Sequence, residues 1–155
     1  AKLKKINVAV NGMVKCGGKK CRVCESILVG DTFRSTVQQR VFRINHHFDC
    51  NSQGVIYLIT CGKCSKQYVG STITTFRLRF NNHKSSINRF SKGQRGLSGQ
   101  HLYEHFFEEG HSGLNDFRAQ IIDVTDVNKP TERESFWIEK LNTYVPLGLN
   151  LREEY

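Results

Sequence analysis

Six cysteines, at positions 16, 21, 24, 50, 61 and 64, constrain this 155-residue chain more than any other feature. Two pairs, Cys21-Arg-Val-Cys24 and Cys61-Gly-Lys-Cys64, leave two residues between the sulfurs. A tight turn at that spacing lets both thiolates face one tetrahedral ion while its backbone N–H groups point at the sulfurs, the geometry of a metal knuckle. An even count also permits disulfides. No apolar leader opens the chain, so we expect it to work where thiols stay reduced, which favours zinc. One partition gives Cys16, Cys21, Cys24 and Cys50 a four-sulfur site and sends Cys61 and Cys64 to two histidines. Joining the two knuckles in a single site would use the same residues. For the histidines, spacing offers two answers: His101 with His105, one helical turn apart, or His105 with His111, on either side of Gly110.

The charge narrows the class of partner. Twenty-three basic against 14 acidic residues give a net charge of +9 and a pI near 9.4. Such a balance suits a polyanion, because each phosphate neutralised releases condensed counterions. Solubility alone is the plainer explanation of a basic surface. With 38% hydrophobic and 24% charged residues, the chain is neither disordered nor a coiled coil. Its apolar runs, such as Val55 to Ile59, fall far short of the roughly 20 residues needed to span a bilayer, so we expect a soluble protein with no membrane partner.

The length suits one ordinary domain with a small appended module. We expect residues 1–50 to form that module: it opens on Lys2, Lys4 and Lys5, carries the first cysteine cluster, and alternates loosely from Phe33 to Ile44 as a hairpin does. Its limited apolar content would leave it marginal without a bound metal, since small domains need staples. Residues 51–155 form the second unit. There, Val55 to Thr60 reads as a buried strand and Gln67 to Gly70 as its neighbour, with the second knuckle between them. Phe76, Phe80 and Ile87 recur at helical intervals, bordered by Arg79 and His83 four residues apart. Ser98 to Glu109 reads as a helix stopped by Gly110, Phe117 to Val124 as a third strand, and Thr131 to Asn142 as a helix burying Trp137, Ile138 and Leu141. The expected fold class is α/β (α+β): a small antiparallel three-stranded sheet flanked by helices, with an N-terminal zinc-stabilised module.

Several of these residues suit phosphodiester hydrolysis, which needs an activated water, neutralised charge at phosphorus and help for the leaving oxygen. Tyr57 and Tyr68 sit on adjacent strands, though a phenol with a pKa near 10 needs positive charge or a metal to act as a base. Arg79 offers a planar fork to phosphate oxygens, and His83 can pass a proton or hold the phosphate. Glu134 precedes Trp137 and Ile138 by three and four positions, so it projects from the face its helix buries, where a carboxylate needs a reason. A capping box, Thr131-x-x-Glu134, is the competing structural reason.

In order along the chain, Val55-Ile56-Tyr57, Tyr68-Val69-Gly70, Arg79 with His83, Arg133-Glu134-Ser135-Phe136-Trp137-Ile138 and Gly148-Leu149-Asn150 resemble the blocks of GIY-YIG nucleases, from about Gly54 to Asn150. The first block departs from its namesake, with Val55 where glycine is usual and Gly54 one position earlier. The cysteine pair between the two tyrosine blocks, with the cysteine-rich stretch upstream, is similar more particularly to the endonuclease domain of Penelope-like retroelements. The resemblance implies Tyr57 as general base with Tyr68 as its orienting partner, Arg79 and His83 at the phosphate, and Asn150 as a polar positioner. It makes Glu134 the ligand of one Mg²⁺ or Mn²⁺, and Cys61, Cys64, His105 and His111 the ligands of a structural zinc. It further implies a nuclear enzyme that nicks target DNA to prime reverse transcription, with the reverse transcriptase on a longer protein and template RNA as a possible further partner. Two rival readings are a non-catalytic zinc-stabilised nucleic-acid-binding module and a GIY-YIG nuclease of repair or homing type, against which the cysteine pair argues by analogy.

Overall fold

The computed structural model describes residues 10–152; Lys2, Lys4 and Lys5 lie outside them. Seven strands and three helices follow one another in the described chain: β1 (Gly12–Met13), β2 (Thr32–Ser35), β3 (Arg40–Arg43), β4 (His47–Phe48), β5 (Gln53–Cys61), β6 (Gln67–Thr75), α1 (Phe76–Ser91), α2 (Gln100–His105), β7 (Phe117–Val124) and α3 (Pro130–Leu141). The main sheet is antiparallel in the order β6-β5-β7. Its middle strand is covered on both faces, and Val55 to Ile59 are each 1% exposed or less, which is why that run is continuously apolar. Gly54 occupies a left-handed position, φ 64°, where the β5–β6 register shifts between Gln53 and Val55. A bulge here needs a residue free to adopt that φ, which accounts for a glycine one position ahead of Val55.

Each edge of the sheet is met by backbone from another segment over part of its length, which limits its capacity to recruit another strand. Along β7, Leu28 N–H donates to Ala119 (2.8 Å); along β6, Leu149 N–H donates to Gln67 (2.8 Å). The expected hairpin exists as β2–β3, and Phe33 and Phe42 pack with Trp137 of α3. β1 and β4 pair in parallel over two residues. One apolar cluster runs through all of this, from Met13 to Leu149. Among the described residues no helix is long and apolar enough to cross a membrane.

Two expected elements differ. The helix expected over 98–109 is regular only from Gln100 to His105; Phe106, Phe107 and Glu108 then bond three residues back, a tighter winding that carries the chain to Gly110, φ 81°. The capping box does not form. α3 starts with Pro130 in its first turn and Lys129 as cap, so Thr131 already lies inside the helix and no side chain caps it.

Candidate active site and metal centres

The β5–β6 register pairs Tyr57 with Gly70 and Ile59 with Tyr68, which places the two tyrosines on one face as diagonal neighbours. Tyr57 is wholly buried against Phe76 and His83. A Cβ on Gly70 would lie 2.5 Å from the Tyr57 ring, so the glycine of the second tyrosine block is what lets this ring cross β6.

From α1, whose first turn Thr75 caps through Leu78 N–H, two side chains reach the phenol. Arg79 Nε donates to Tyr57 Oη (3.1 Å), and His83 Nε2 lies 2.8 Å from the same oxygen. His83 Nδ1 is 2.9 Å from the hydroxyl of Tyr103 on α2. Because Arg79 can only donate, the buried Tyr57 hydroxyl satisfies its own proton on His83 Nε2, which leaves Nδ1 to donate to Tyr103. That network holds His83 neutral. Burial, with the Arg79 charge adding to it, takes the imidazole down to about 3. Burial likewise pushes Tyr57 above the ordinary phenol range, despite Arg79, and pushes Tyr68 up to about 12 with help from the charge of Glu134.

Glu134 enters from α3. Ser71 of β6 donates its hydroxyl to the Glu134 carboxylate, and the fields of Glu134 and Arg79 reach both tyrosines. α3 itself is clamped to β7 by the buried Asp123, which accepts from Arg133 Nε (2.7 Å) and Trp137 Nε1 (2.8 Å). Tyr68, Glu134 and Asn150 line one cleft of about 600 Å³, together with His101, Ser135 and Tyr144. Asn150 spends its amide on β6: Oδ1 accepts from Val69 N–H (2.8 Å) and Thr143 Oγ1 (2.7 Å), and Nδ2 donates to Val69 O (3.0 Å), which fixes the residue beside Tyr68. The structure thus brings the six expected residues together in two linked sets: Tyr68, Glu134 and Asn150 line the cleft, while Arg79 and His83 meet on the buried Tyr57 hydroxyl, diagonal to Tyr68 across the strand pair. Sequence reasoning missed Ser71, Tyr103 and the cleft position of His101, whose Nε2 is buried without a hydrogen-bond partner. Helical spacing offered His101 only as one of two alternatives for a zinc ligand; Ser71 and Tyr103 carry no signal of their own before the strands and helices are packed.

Among the described residues, two groups of side chains have the arrangement of metal ligands. Cys61, Cys64, His105 and His111 present ligand atoms within 4.8 Å of one another, and so do Cys16, Cys21, Cys24 and Cys50. His101 belongs to neither. In the first group His105 Nε2 lies 3.2 Å from Cys64 Sγ while its Nδ1 faces Glu108 (3.5 Å), and His111 turns Nδ1 to Glu109 O (3.3 Å). His111 Nε2 is buried without a hydrogen bond, a lone pair left for an ion. Burial pushes the Cys61 thiol up, whereas Cys64 is lowered because His111, Lys66 N–H and Cys61 outweigh its own burial. In the second group Cys16 Sγ and Cys50 Sγ lie 3.6 and 3.7 Å from Cys24 Sγ. Burial alone would raise Cys21, yet Cys24 N–H and the neighbouring thiols hold it down to about 6. The donor sets, four sulfurs and two sulfurs with two imidazoles, are those of tetrahedral zinc.

A small antiparallel sheet with phenols, a guanidinium and a carboxylate set around two adjacent strands offers the groups that hydrolysis of a phosphate ester requires. Residues 53–147 match the model of the GIY-YIG catalytic domain, and the chain belongs to that family of nucleases. Among solved structures it is similar to the catalytic domain of the homing endonuclease I-TevI, at 29% identity and a TM-score of 0.50, over 64% of this chain and 98% of that one. No curated protein matches it.

Proposed function

We propose that the chain is a metal-dependent DNA endonuclease that hydrolyses one phosphodiester bond per active site. The observation that carries this reading is the meeting of three elements: Tyr68 and Glu134 line one cleft, and the charge of Arg79, which is hydrogen-bonded to the buried Tyr57–His83 pair, reaches Tyr68 together with that of Glu134. The half-buried Glu134 carboxylate fits a hard cation such as Mg²⁺ or Mn²⁺, which would supply charge neutralisation at the scissile phosphate. Arg79, fixed through Nε to Tyr57, turns the rest of its fork to phosphate oxygens and stabilises their developing charge. His83 stays neutral and aims the Tyr57 hydroxyl; because burial raises this phenol despite Arg79, a general-base role for Tyr57 needs the charge of a bound cation beside that of Arg79. Tyr68 meets the cleft directly and orients the water.

Within that activity we place the finer reading of a Penelope-like retroelement nuclease, acting in the nucleus to free a 3′ hydroxyl for reverse transcription. It is supported by the cysteine pair lodged between the two tyrosine blocks and by the four-sulfur cluster upstream. A homing-type nuclease is the second reading, favoured by the likeness to I-TevI.

The test is a supercoiled plasmid incubated with Mg²⁺ or Mn²⁺. We expect conversion to the open-circle form, abolished by EDTA. Glu134→Ala and Arg79→Ala should each lower nicking by about 10²-fold or more, the scale for removing one preorganised electrostatic group, while DNA affinity largely survives. Nicking unchanged in both variants would refute the assignment.

A further inference from the structure

We propose that the groove between the first cysteine knuckle and the start of α1 is a second contact for the DNA backbone, holding phosphates that flank the scissile bond. The cavity there, about 480 Å³, is lined by Gly18, Lys19, Lys20, Arg22, Arg77 and Asn81 with the knuckle's Cys21 and Val23, and by no carboxylate. Glu25 pairs with Arg22 at 3.8 Å, but both side chains are largely exposed and such a pair contributes little. α1 continues the pattern: Arg77, Asn81, Lys84 and Asn88 recur at helical intervals along one stripe, and the helix contains no acid.

A different purpose is conceivable for these cations, balancing the negative thiolates of the knuckle. Only Arg77 serves it. Its Nη2 donates to Cys16 Sγ (3.0 Å) and its backbone N–H to Cys50 O (2.8 Å). Lys19 and Lys20 are exposed and pair with no acid among the described residues. Cations facing outward around a concave surface, without acids, complement a chain of phosphates.

Placement supports the same occupant. Arg77 and Arg79 stand two residues apart, about 3 Å of helical rise and on opposite sides of an axis whose full diameter is about 10–12 Å. Duplex DNA presents a phosphate for each ~1.7 Å of axis, counting both strands. A duplex lying across the start of α1, with its scissile phosphate at Arg79, spans that diameter and brings other phosphates within reach of the groove. By anchoring Arg77, the knuckle sets the distance between the two contacts.

The choice of DNA as occupant rests on the nuclease reading, but the test needs no cleavage. In the full chain carrying Glu134→Ala, zinc-loaded, binding to a duplex is measured by fluorescence anisotropy across a salt series. Lys19→Gln/Lys20→Gln/Arg22→Gln should flatten the slope of log K against log salt by roughly 2–3, and Lys19→Gln/Lys20→Gln by roughly 2, since each phosphate contact contributes about 0.9. An equal charge removed elsewhere, by Arg40→Gln/Arg43→Gln/Lys129→Gln, should leave the slope near that of the parent. Equal flattening in both triple variants would mean net charge alone and overturn the proposal. An unchanged slope in the groove variants would overturn it too, including where they lose zinc, which would assign the lysines to the knuckle. If the groove variants flatten the slope while the unmutated chain nicks no plasmid, the clamp stands and the nuclease reading fails by itself.

Discussion

Gly70 shows how one absent side chain positions the site. It lies opposite Tyr57 in the ladder, and an added methyl carbon would overlap the ring at 2.5 Å from Cζ and 2.8 Å from Cε2. The ring cannot yield, because its hydroxyl is held by Arg79 and His83 on the far side. Gly70→Ala should therefore displace the phenol by about an ångström, lowering nicking on the order of 10²-fold at nearly unchanged DNA affinity, with an overpacking cost of about 1–3 kcal/mol in unfolding experiments. A fully active alanine variant would show that the Tyr57 position does not matter. His83 yields a prediction with a definite sign. The fold holds its pKa down near 3, against about 6.5 in an unfolded chain. Between those values the unfolded chain binds a proton that the folded chain does not, so this group's stabilisation is complete above pH 6.5 and shrinks as pH falls towards 3. The slope in that window is about 1.4 kcal/mol per pH unit. Chemical denaturation of wild type and His83→Gln from pH 7 to 4 measures it, and metal-ligand titration cancels in the comparison. Parallel curves would contradict a neutral buried His83.

At the level of elements, α3 matters because Glu134 rides on it. Asp123 is 5% exposed and satisfies Arg133, Trp137 and its neighbour Val124 N–H at once. Asp123→Ala would leave the indole N–H without this acceptor. We expect a loss of about 2–3 kcal/mol, a fall in Tm of roughly 4–12 °C, and weaker nicking because Glu134 follows Arg133 directly. Stability within a few tenths of wild type would show that packing alone holds the helix. Much of this architecture could be read from the chain. β5 and β7 announce themselves as apolar runs, and α1 through the spacing of Phe76, Phe80 and Ile87. The rest lacks local signal. β6 continues to Thr75 through a threonine-rich stretch in which Ile73 is 63% exposed, so neither periodicity nor burial marks it. β1 and β4 are two residues each and find one another only in the folded chain. In the site, Arg79 and His83 were legible because four residues make one helical turn. Ser71 as the partner of Glu134, and Tyr103 as the partner of His83, depend on strand register and helix packing that spacing cannot express. Thr131 and Glu134 have the letters of a capping box, but the helix starts at Pro130 with Lys129 as its cap, two residues too early for it.

For the molecule as a whole, the question is whether the first 50 residues form a body of their own. Several contacts tie the described part of that segment to the nuclease half. Phe33 meets the Trp137 ring edge-on at 5.2 Å, Ser35 Oγ donates to Leu141 O (2.9 Å), and Thr36 Oγ1 donates to Ser65 O (2.7 Å). Leu28 extends the sheet at β7, and Cys50 accepts from the Arg77 backbone at the start of α1. Val23, Ile27, Phe33 and Phe48 belong to the same apolar cluster as Ile121 and Leu141, so removing one half strips water-excluding cover from the other. Cooperative unfolding follows when most buried area is shared. We therefore predict one calorimetric transition for the zinc-loaded chain, shifted as a unit to lower temperature when zinc is chelated, because an ion bound only to the folded state stabilises all that folds with it. A chain beginning at residue 51 should lose the four-sulfur cluster and unfold at a markedly lower temperature. Two transitions, with the second unmoved by deletion of residues 1–50, would instead make that segment an independent module.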